Sequence, residues 1–310
     1  MKVTIDSRAA KEYNRAKVNK PGLENIMTEI VAWKFNSLID EQKNITTVTF
    51  DEAPASLNAG SKQLPKGVYT TFRTYEGNKA LLLDDHLRRL ETSASLVNVP
   101  ISLNFPLIKQ VLRQVIQSFP AQDTRVRLSV DLEESPGTTY VLLEPLHTPS
   151  IEDYENGVRV VTCQFQRENP QAKQTAFISL AESLRSILPL DTSEGLLIDE
   201  KGRILEGLSS NFFAVKNGEI WTAEDSVLPG ITRGLIFQVA KLENIPIRLN
   251  NISVSELAEL QEAFLTSSSR SVLPIRQIDQ ILIGNGKPGP ITTLLADAYW
   301  REIRPLLKEI

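Results

Sequence analysis

Cysteine is almost absent. Cys163 is the only one in 310 residues, which excludes an internal disulfide and fits a reducing compartment. Histidine is nearly as scarce: His86 and His147 lie far apart in the chain, so no His/Cys cluster stands ready for a metal and none is expected. A His-dependent triad is poorly supported for the same reason. Positive charge is not in excess, with 34 Lys and Arg against 38 Asp and Glu and a formal net charge of −4. That gives no support to nucleic-acid binding or to a basic membrane-facing surface. No apolar run reaches bilayer-spanning length, and the first residues contain no hydrophobic signal core. What is present, 41% hydrophobic and 23% charged residues, suffices for one large or two medium cores. The expectation is a soluble, cytoplasmic globular protein without internal repeats.

Residues 1–22 are polar, lean basic and read as an extension. After Pro21-Gly22, the residues Leu23, Ile26, Met27, Ile30, Val31, Leu38 and Ile39 recur at helical spacing, predicting an amphipathic helix that ends near Gln42. From Thr46 to Lys66 the pattern is short strand and loop. Val68 to Tyr75 is rich in β-branched and aromatic residues and predicts a strand, which turns at 76–79 into a second one at 80–83. Two helices should follow, the first with Asp84 or Asp85 as N-cap and Leu87, Leu90, Ala94 and Val97 on one face, the second over 105–119. Strands at 125–131 and 139–143 complete a small α/β unit. The stretch from Pro145 to Asn156 reads as a linker. Beyond it we expect a strand at 157–166, a helix at 174–187 and two hairpins, 196–198 with 203–205 and 212–215 with 220–222. Asn217-Gly218 is the strongest short hairpin signal in the chain. Further helices are expected after Arg233, after Ser255 and over 290–307. The expected division is an extension with a helix (1–45), a small α/β domain (46–148) and a large domain (149–310).

One stretch says most about function: Glu206 to Arg233, EGLSSNFFAVKNGEIWTAEDSVLPGITR. Its last six residues turn into a helix carrying Ile231, Leu235, Ile236, Val239 and Leu242 at helical spacing. The first N–H groups of such a helix lack intrahelical partners and form a ready anion site. Taken by itself, Glu206 reads as a strand-end charge facing water. Taken with the rest of the chain, the stretch resembles the signature of the class IV (fold-type IV) aminotransferases. That pyridoxal-phosphate family includes branched-chain and D-amino-acid aminotransferases and aminodeoxychorismate lyase. The likeness runs from about Gly67 to Tyr299. It includes, in order, His86-Leu87-Arg88-Arg89-Leu90, Phe264-Leu265-Thr266-Ser267-Ser268 and the segment from Ile283 to Pro290.

The resemblance implies an α/β fold of the α+β type in two domains: a small N-terminal α/β domain and a larger pseudo-barrel domain. It also implies pyridoxal 5'-phosphate (PLP) as cofactor and a homodimer. Lys173, in Arg167-Glu168-Asn169-Pro170-Gln171-Ala172-Lys173, is similar to the family's R-x-x-P-x-x-K; it would hold the cofactor's aldehyde as an imine and shuttle a proton. Glu206 matches the partner of the pyridine nitrogen. Ile231 and Thr232 match the backbone phosphate donors, Arg89 the phosphate arginine and Ser268 a phosphate hydroxyl. Arg88, on the same helix, competes with Arg89. Leu228 corresponds to the residue that packs on the ring face.

Two departures bear on the substrate. Many relatives carry a tyrosine four or five residues after the lysine, where this chain has Phe177 and Ile178. Relatives also read G-x-F-E-G or G-x-F-E-T where it has Gly67-Val68-Tyr69-Thr70-Thr71. Candidate pocket walls are Tyr69, Thr71 and Arg73, which share one face of a strand, Arg127, and the loop holding Ser269 and Arg270. Arg73, Arg127 and Arg270 are each able to take a carboxylate in bidentate fashion, and each is equally able to be a structural arginine. The expected reaction moves an amino group between an amino acid, branched-chain-like or other, and a 2-oxo acid. Release of pyruvate and 4-aminobenzoate by aminodeoxychorismate lyase is the second activity to weigh, and a non-catalytic binding protein on the same scaffold the third.

Overall fold

The computed structural model describes residues 30–38 and 45–310. These group into two compact units. One contains the described residues up to Thr148 together with Arg167–Ile187 and Leu306–Ile310; the other contains Pro149–Gln166 and Leu188–Pro305. Two segments therefore group against chain order. The segment carrying Lys173 and the last five residues belong with the N-terminal unit.

The first unit is built on a seven-stranded antiparallel sheet. Its strands are Val31–Asn36 (β1), Thr46–Thr47 (β2), Gly67–Tyr75 (β3), Lys79–Leu81 (β4), Thr124–Asp131 (β5), Thr138–Pro145 (β6) and a terminal strand, Leu307–Glu309. The order is terminal strand, β4, β3, β5, β6, β1, β2. Strand β1 overturns the helix expected across these positions: Val31 to Asn36 pair residue by residue with β6. Val31, Trp33 and Phe35 suit a pleated surface, and pairing across the sheet overrides a helical spacing drawn from a few apolar residues. The rest of that expected helix, 23–29 and 39–42, lies outside the described residues. One face of the sheet is covered by helices Leu83–Leu96 and Phe105–Ser118, whose Leu87, Leu90, Ile108, Val111 and Leu112 pack on Val68, Phe72, Val126 and Leu128. The residue that caps the first of these helices is Leu82 in the left-handed region (φ 49), not Asp84 or Asp85. Those two acids lie in its first turn, where the helix dipole favours negative charge. Leu57–Lys62, within a stretch expected to be strand and loop, is a short helix capped by Ser56.

On β3, strand β4 pairs only with Thr74 and Tyr75, so the edge of β3 near Gly67 takes another partner. The lysine segment fills it. Tyr69 N–H donates to the Lys173 carbonyl (2.9 Å), Thr175 N–H to the Gly67 carbonyl (2.9 Å), and Val68 bridges Gln174. Gly67 admits no side chain here, since a Cβ would fall 1.9 Å from the Val130 carbonyl oxygen.

The second unit holds Val158–Gln164 (β7), Glu194–Ile198 (β8), Ile204–Gly207 (β9), Asn211–Lys216 (β10), Glu219–Trp221 (β11), Ile247–Arg248 (β12), Glu262–Ser267 (β13), Ser271–Ile278 (β14) and Ile281–Leu282 (β15). Their order is β12-β11-β10-β13-β14-β7-β8-β9, and β9 also pairs with β10. That last pairing closes six strands into a pseudo-barrel, filled by Val160, Leu196, Phe212, Leu265, Leu273 and Ile275. The pair that closes it is Glu206 opposite Asn211. The β10–β11 turn has positive φ at both Asn217 (53) and Gly218 (74), as an Asn-Gly hairpin requires. Where a helix was expected after Ser255, the chain forms a 3-10 helix, Val254–Glu259. The last helix stops at Ile303 instead of running to 307, because its final residues join the first unit's sheet. The linker stretch holds a short helix, Ile151–Asn156, with a Ser150/Asp153 capping box.

Candidate active site

In the first unit the polar residues of β3 divide by face. Tyr69 lies beside two cations: the Lys173 amine is 4.7 Å from its ring centroid, and the Arg127 guanidinium carbon 4.9 Å. Arg127 is 3% exposed, and its Nε and Nη1 donate to the Thr71 (3.1 Å) and Ser61 (3.0 Å) hydroxyls. Both partners are neutral. Burial pushes this guanidinium down to about 10. Burial alone would raise the Tyr69 phenol, but the charges of Lys173, Arg127 and Arg167 and a hydrogen bond to Lys173 hold it below its usual range. Arg73, expected on the same face, is committed elsewhere. It donates to Asp123 (3.2 Å) and lies over the Tyr75 ring.

On the helix-covered face Thr70 meets His86 and Arg89. Arg89 Nη2 donates to Thr70 Oγ1 (2.6 Å) and lies 3.3 Å from His86 Nδ1, and Thr70 Oγ1 is 2.8 Å from the same nitrogen. Arginine only donates, so His86 Nδ1 is the acceptor and its ring proton sits on Nε2. Burial, with the charges of Arg89 and Lys173, pushes His86 well below the ordinary histidine range. It is neutral. Arg89 Nε is buried without a hydrogen-bond partner, and burial pushes that guanidinium down to about 10. Arg88, its competitor by spacing, is exposed and paired with Asp85 (2.7 Å). The Lys173 main chain is held from the same helix, its N–H donating to Ser93 Oγ (3.1 Å).

In the second unit Glu206 is 4% exposed, and its Oε2 accepts from the Leu228 N–H (3.0 Å). Asn211 Nδ2 donates to the Leu228 carbonyl (2.8 Å). The Leu228 turn is thus pinned by both polar groups of one residue. Gly230 follows, and a Cβ there would fall 2.1 Å from Asn211 Oδ1. Helix Ile231–Leu242 then begins without a side-chain cap, with Thr232 buried in its first turn. Arg233 donates to the Ala223 carbonyl (2.7 Å). Glu206, Asn211 and Thr266 stand directly opposite one another across β9, β10 and β13, so they share a face. Thr266 Oγ1 is buried without a hydrogen-bond partner. Ser268, Ser269 and Arg270 form the turn between β13 and β14. Arg270 is matched by a carboxylate: its Nη2 donates to Oε2 of fully buried Glu194 (2.6 Å), which also accepts from Ser209 (2.8 Å) and Ser210 (3.2 Å). Among the described residues no group of three His, Cys, Asp or Glu is placed to hold a metal, and no helix is long and apolar enough to cross a membrane.

Residues 67–278 match the family described as amino-transferase class IV. The chain belongs to the class IV aminotransferases. It is 31% identical over 256 residues to a probable branched-chain-amino-acid aminotransferase of Thermotoga maritima, covering 80% of this chain and 90% of the relative. A solved structure of a putative branched-chain aminotransferase from Thermotoga maritima superposes with a TM-score of 0.70 at 27% identity, covering 89% of this chain and 95% of the other. The T.th. branched-chain amino acid aminotransferase, solved with pyridoxamine 5'-phosphate, shares the fold (TM-score 0.73, 22% identity, 92% and 99% covered). This class IV aminotransferase is therefore a PLP-dependent enzyme that moves an amino group between an amino acid and a 2-oxo acid.

The residues present fit that cofactor. A phosphate dianion calls for buried, charge-assisted donors, and the first unit holds Arg89 with a buried Nε and only neutral partners. An aldehyde calls for an amine, and Lys173 lies in the same unit. A pyridinium calls for a carboxylate: Glu206 lies in the second unit, with an uncapped helix start after it. Sequence reasoning missed four residues of these settings: Thr70, His86, Asn211 and Thr266. For Thr70 the signal was the departure in Gly67-Val68-Tyr69-Thr70-Thr71, and for Asn211 the polar step beside Phe212. His86 and Thr266 stand inside the blocks that carry the family resemblance, His86 to Leu90 and Phe264 to Ser268, and that was their only signal.

Proposed function

We propose that this class IV aminotransferase takes the amino group from branched-chain amino acids, with Lys173 as the amine that holds PLP and moves the substrate's Cα proton. The observation that carries this reading is the setting of Lys173, anchored by its main chain along β3 with its amine against Tyr69. An amine held at both ends is positioned for proton transfer rather than left on a solvated chain. When bound, PLP supplies an electron sink for the substrate's Cα. In the first unit Arg89 would be a donor to the phosphate, and in the second unit the Ile231 and Thr232 amides and the Ser268 hydroxyl would be donors of the same kind. Glu206 would keep the pyridine nitrogen protonated, and Leu228 would pack on the ring. Arg127, held by the Thr71 hydroxyl and lying over the Tyr69 ring, takes the substrate carboxylate. Its charge has neutral partners, whereas Arg73 and Arg270 are already matched by Asp123 and Glu194.

Branched-chain specificity is supported by the name of the Thermotoga maritima relative. The relatives named above are aminotransferases, which weighs transfer over the lyase activity. We further propose a cytoplasmic homodimer. A panel of amino acids with 2-oxoglutarate tests the substrate: leucine, isoleucine and valine should be turned over fastest. Pyruvate release from aminodeoxychorismate would favour the lyase instead. Lys173→Ala should lose the visible band that borohydride bleaches in the wild type; a retained bleachable band would assign the cofactor to another lysine.

A further inference from the structure

Three observations converge on Tyr69. Its backbone N–H donates to the Lys173 carbonyl (2.9 Å), its ring lies 4.7 Å from the Lys173 amine, and against the effect of burial the nearby Lys173, by its charge and by hydrogen bonding, helps hold the phenol below its usual range. One residue therefore grips Lys173 at both ends of its side chain. At the fourth and fifth positions after the lysine stand Phe177 and Ile178, neither of which carries a hydroxyl; Phe177 stacks under Arg167 (4.3 Å).

We propose that Tyr69 is the positioning residue of Lys173, its phenol orienting the amine and holding the amine's proton while that proton is away from the substrate. This rests on the reading of Lys173 as the PLP lysine. The proton balance is simple. When the amine takes a proton from the substrate's Cα it becomes an ammonium that donates to the Tyr69 oxygen; when it returns the proton, the neutral amine accepts from the phenol O–H. No other reactant is consumed. The ring face adds a cation–π contact available only to the charged form. Around the pair stand Arg127 and Arg167, with His86 and Arg89 on the other face of β3; His86 is neutral, so the field on the phenol is cationic. That field favours negative character on the oxygen. Interactions between titrating groups are reciprocal, so what Lys173 lowers in Tyr69, Tyr69 raises in Lys173.

Tyr69→Phe keeps the ring, the backbone bond and the packing and removes only the hydroxyl. In the full-length protein freed of cofactor, pH-dependent labelling of Lys173 by an amine-reactive reagent, read by peptide mass spectrometry, reports the amine directly. The expected result is titration at a pH lower by on the order of one unit in Tyr69→Phe. In the loaded enzyme kcat should fall about 10- to 100-fold with KM changed less than about threefold. A titration that stays within about 0.2 units of wild type or moves upward overturns the proposal, even if kcat falls, because Tyr69 would then be a pocket wall. Borohydride fixation of PLP, mapped in the same digests, separates the two readings. PLP on Lys173 with an unmoved titration sinks this proposal alone. PLP on another lysine sinks the function assigned to Lys173 and this proposal with it.

Discussion

Replacing Arg89 by Met should weaken cofactor binding while leaving the empty protein about as stable as before. In the fold the guanidinium falls well below its usual value, to about 10, because burial disfavours its charge. At 1.36 kcal/mol for each tenfold change, that drop is about 3 kcal/mol against the fold. Partial exposure screens it to about 1–2 kcal/mol. The sign follows from proton affinity. The folded chain binds this proton less tightly than the unfolded chain, so the penalty applies in full below about pH 10 and is relieved only as pH rises above 10. Met removes the penalty, but leaves the Thr70 oxygen without its donor, while His86 Nδ1 still accepts from the Thr70 hydroxyl, at a cost of about 1 kcal/mol. The two nearly cancel, so melting of the cofactor-free protein should shift by no more than about 3 °C. With PLP, the variant lacks a charge-assisted contact worth about 1.5–3 kcal/mol, and Kd should rise about 10- to 150-fold. Absorbance titration of cofactor-free protein with PLP measures the first quantity and calorimetry the second. An unchanged Kd, or a fall of more than about 10 °C in the empty protein, would make Arg89 structural and refute the argument.

Two further outcomes follow from the same geometry. Glu206→Gln keeps an acceptor for the Leu228 N–H, so it should fold normally and bind PLP yet lose about 100-fold or more in kcat; normal kcat would remove Glu206 from the ring nitrogen. His86 is held below its usual range, so the unfolded chain takes up a proton below about pH 6.5 that the folded chain refuses. Stability should therefore decline at up to about 1.36 kcal/mol per pH unit below that point. His86→Asn should flatten this decline in urea unfolding at pH 5 against pH 7.5; an identical pH dependence in both proteins would contradict it.

Much of the architecture was legible because its signals are local. Strand β3, the Asn217-Gly218 hairpin and the helix after Gly230 rest on β-branched residues, turn chemistry and spacing within a dozen positions. The expected helix across β1 failed for the opposite reason. Its true partner, β6, lies about a hundred residues away, and no local pattern announces such a pairing. The closing strand at Leu307–Glu309 escaped detection in the same way, since it exists only through β4.

The candidate site divides along the same line. Chemical type could be read from the sequence: a lysine, a carboxylate, an arginine and a helix start stand in family order, and that resemblance implies the cofactor. Which charges were already matched could not. Arg73, Arg127 and Arg270 are alike as letters, and only the fold sets Asp123 beside the first, Glu194 beside the third and neutral hydroxyls beside the second. Arg88 and Arg89 are adjacent letters too, yet one helix turns the first to Asp85 and solvent and the second to Thr70 and His86. Residue type fixes what a side chain is able to do, while burial and partners, set by long-range pairing, decide whether that capacity is already spent.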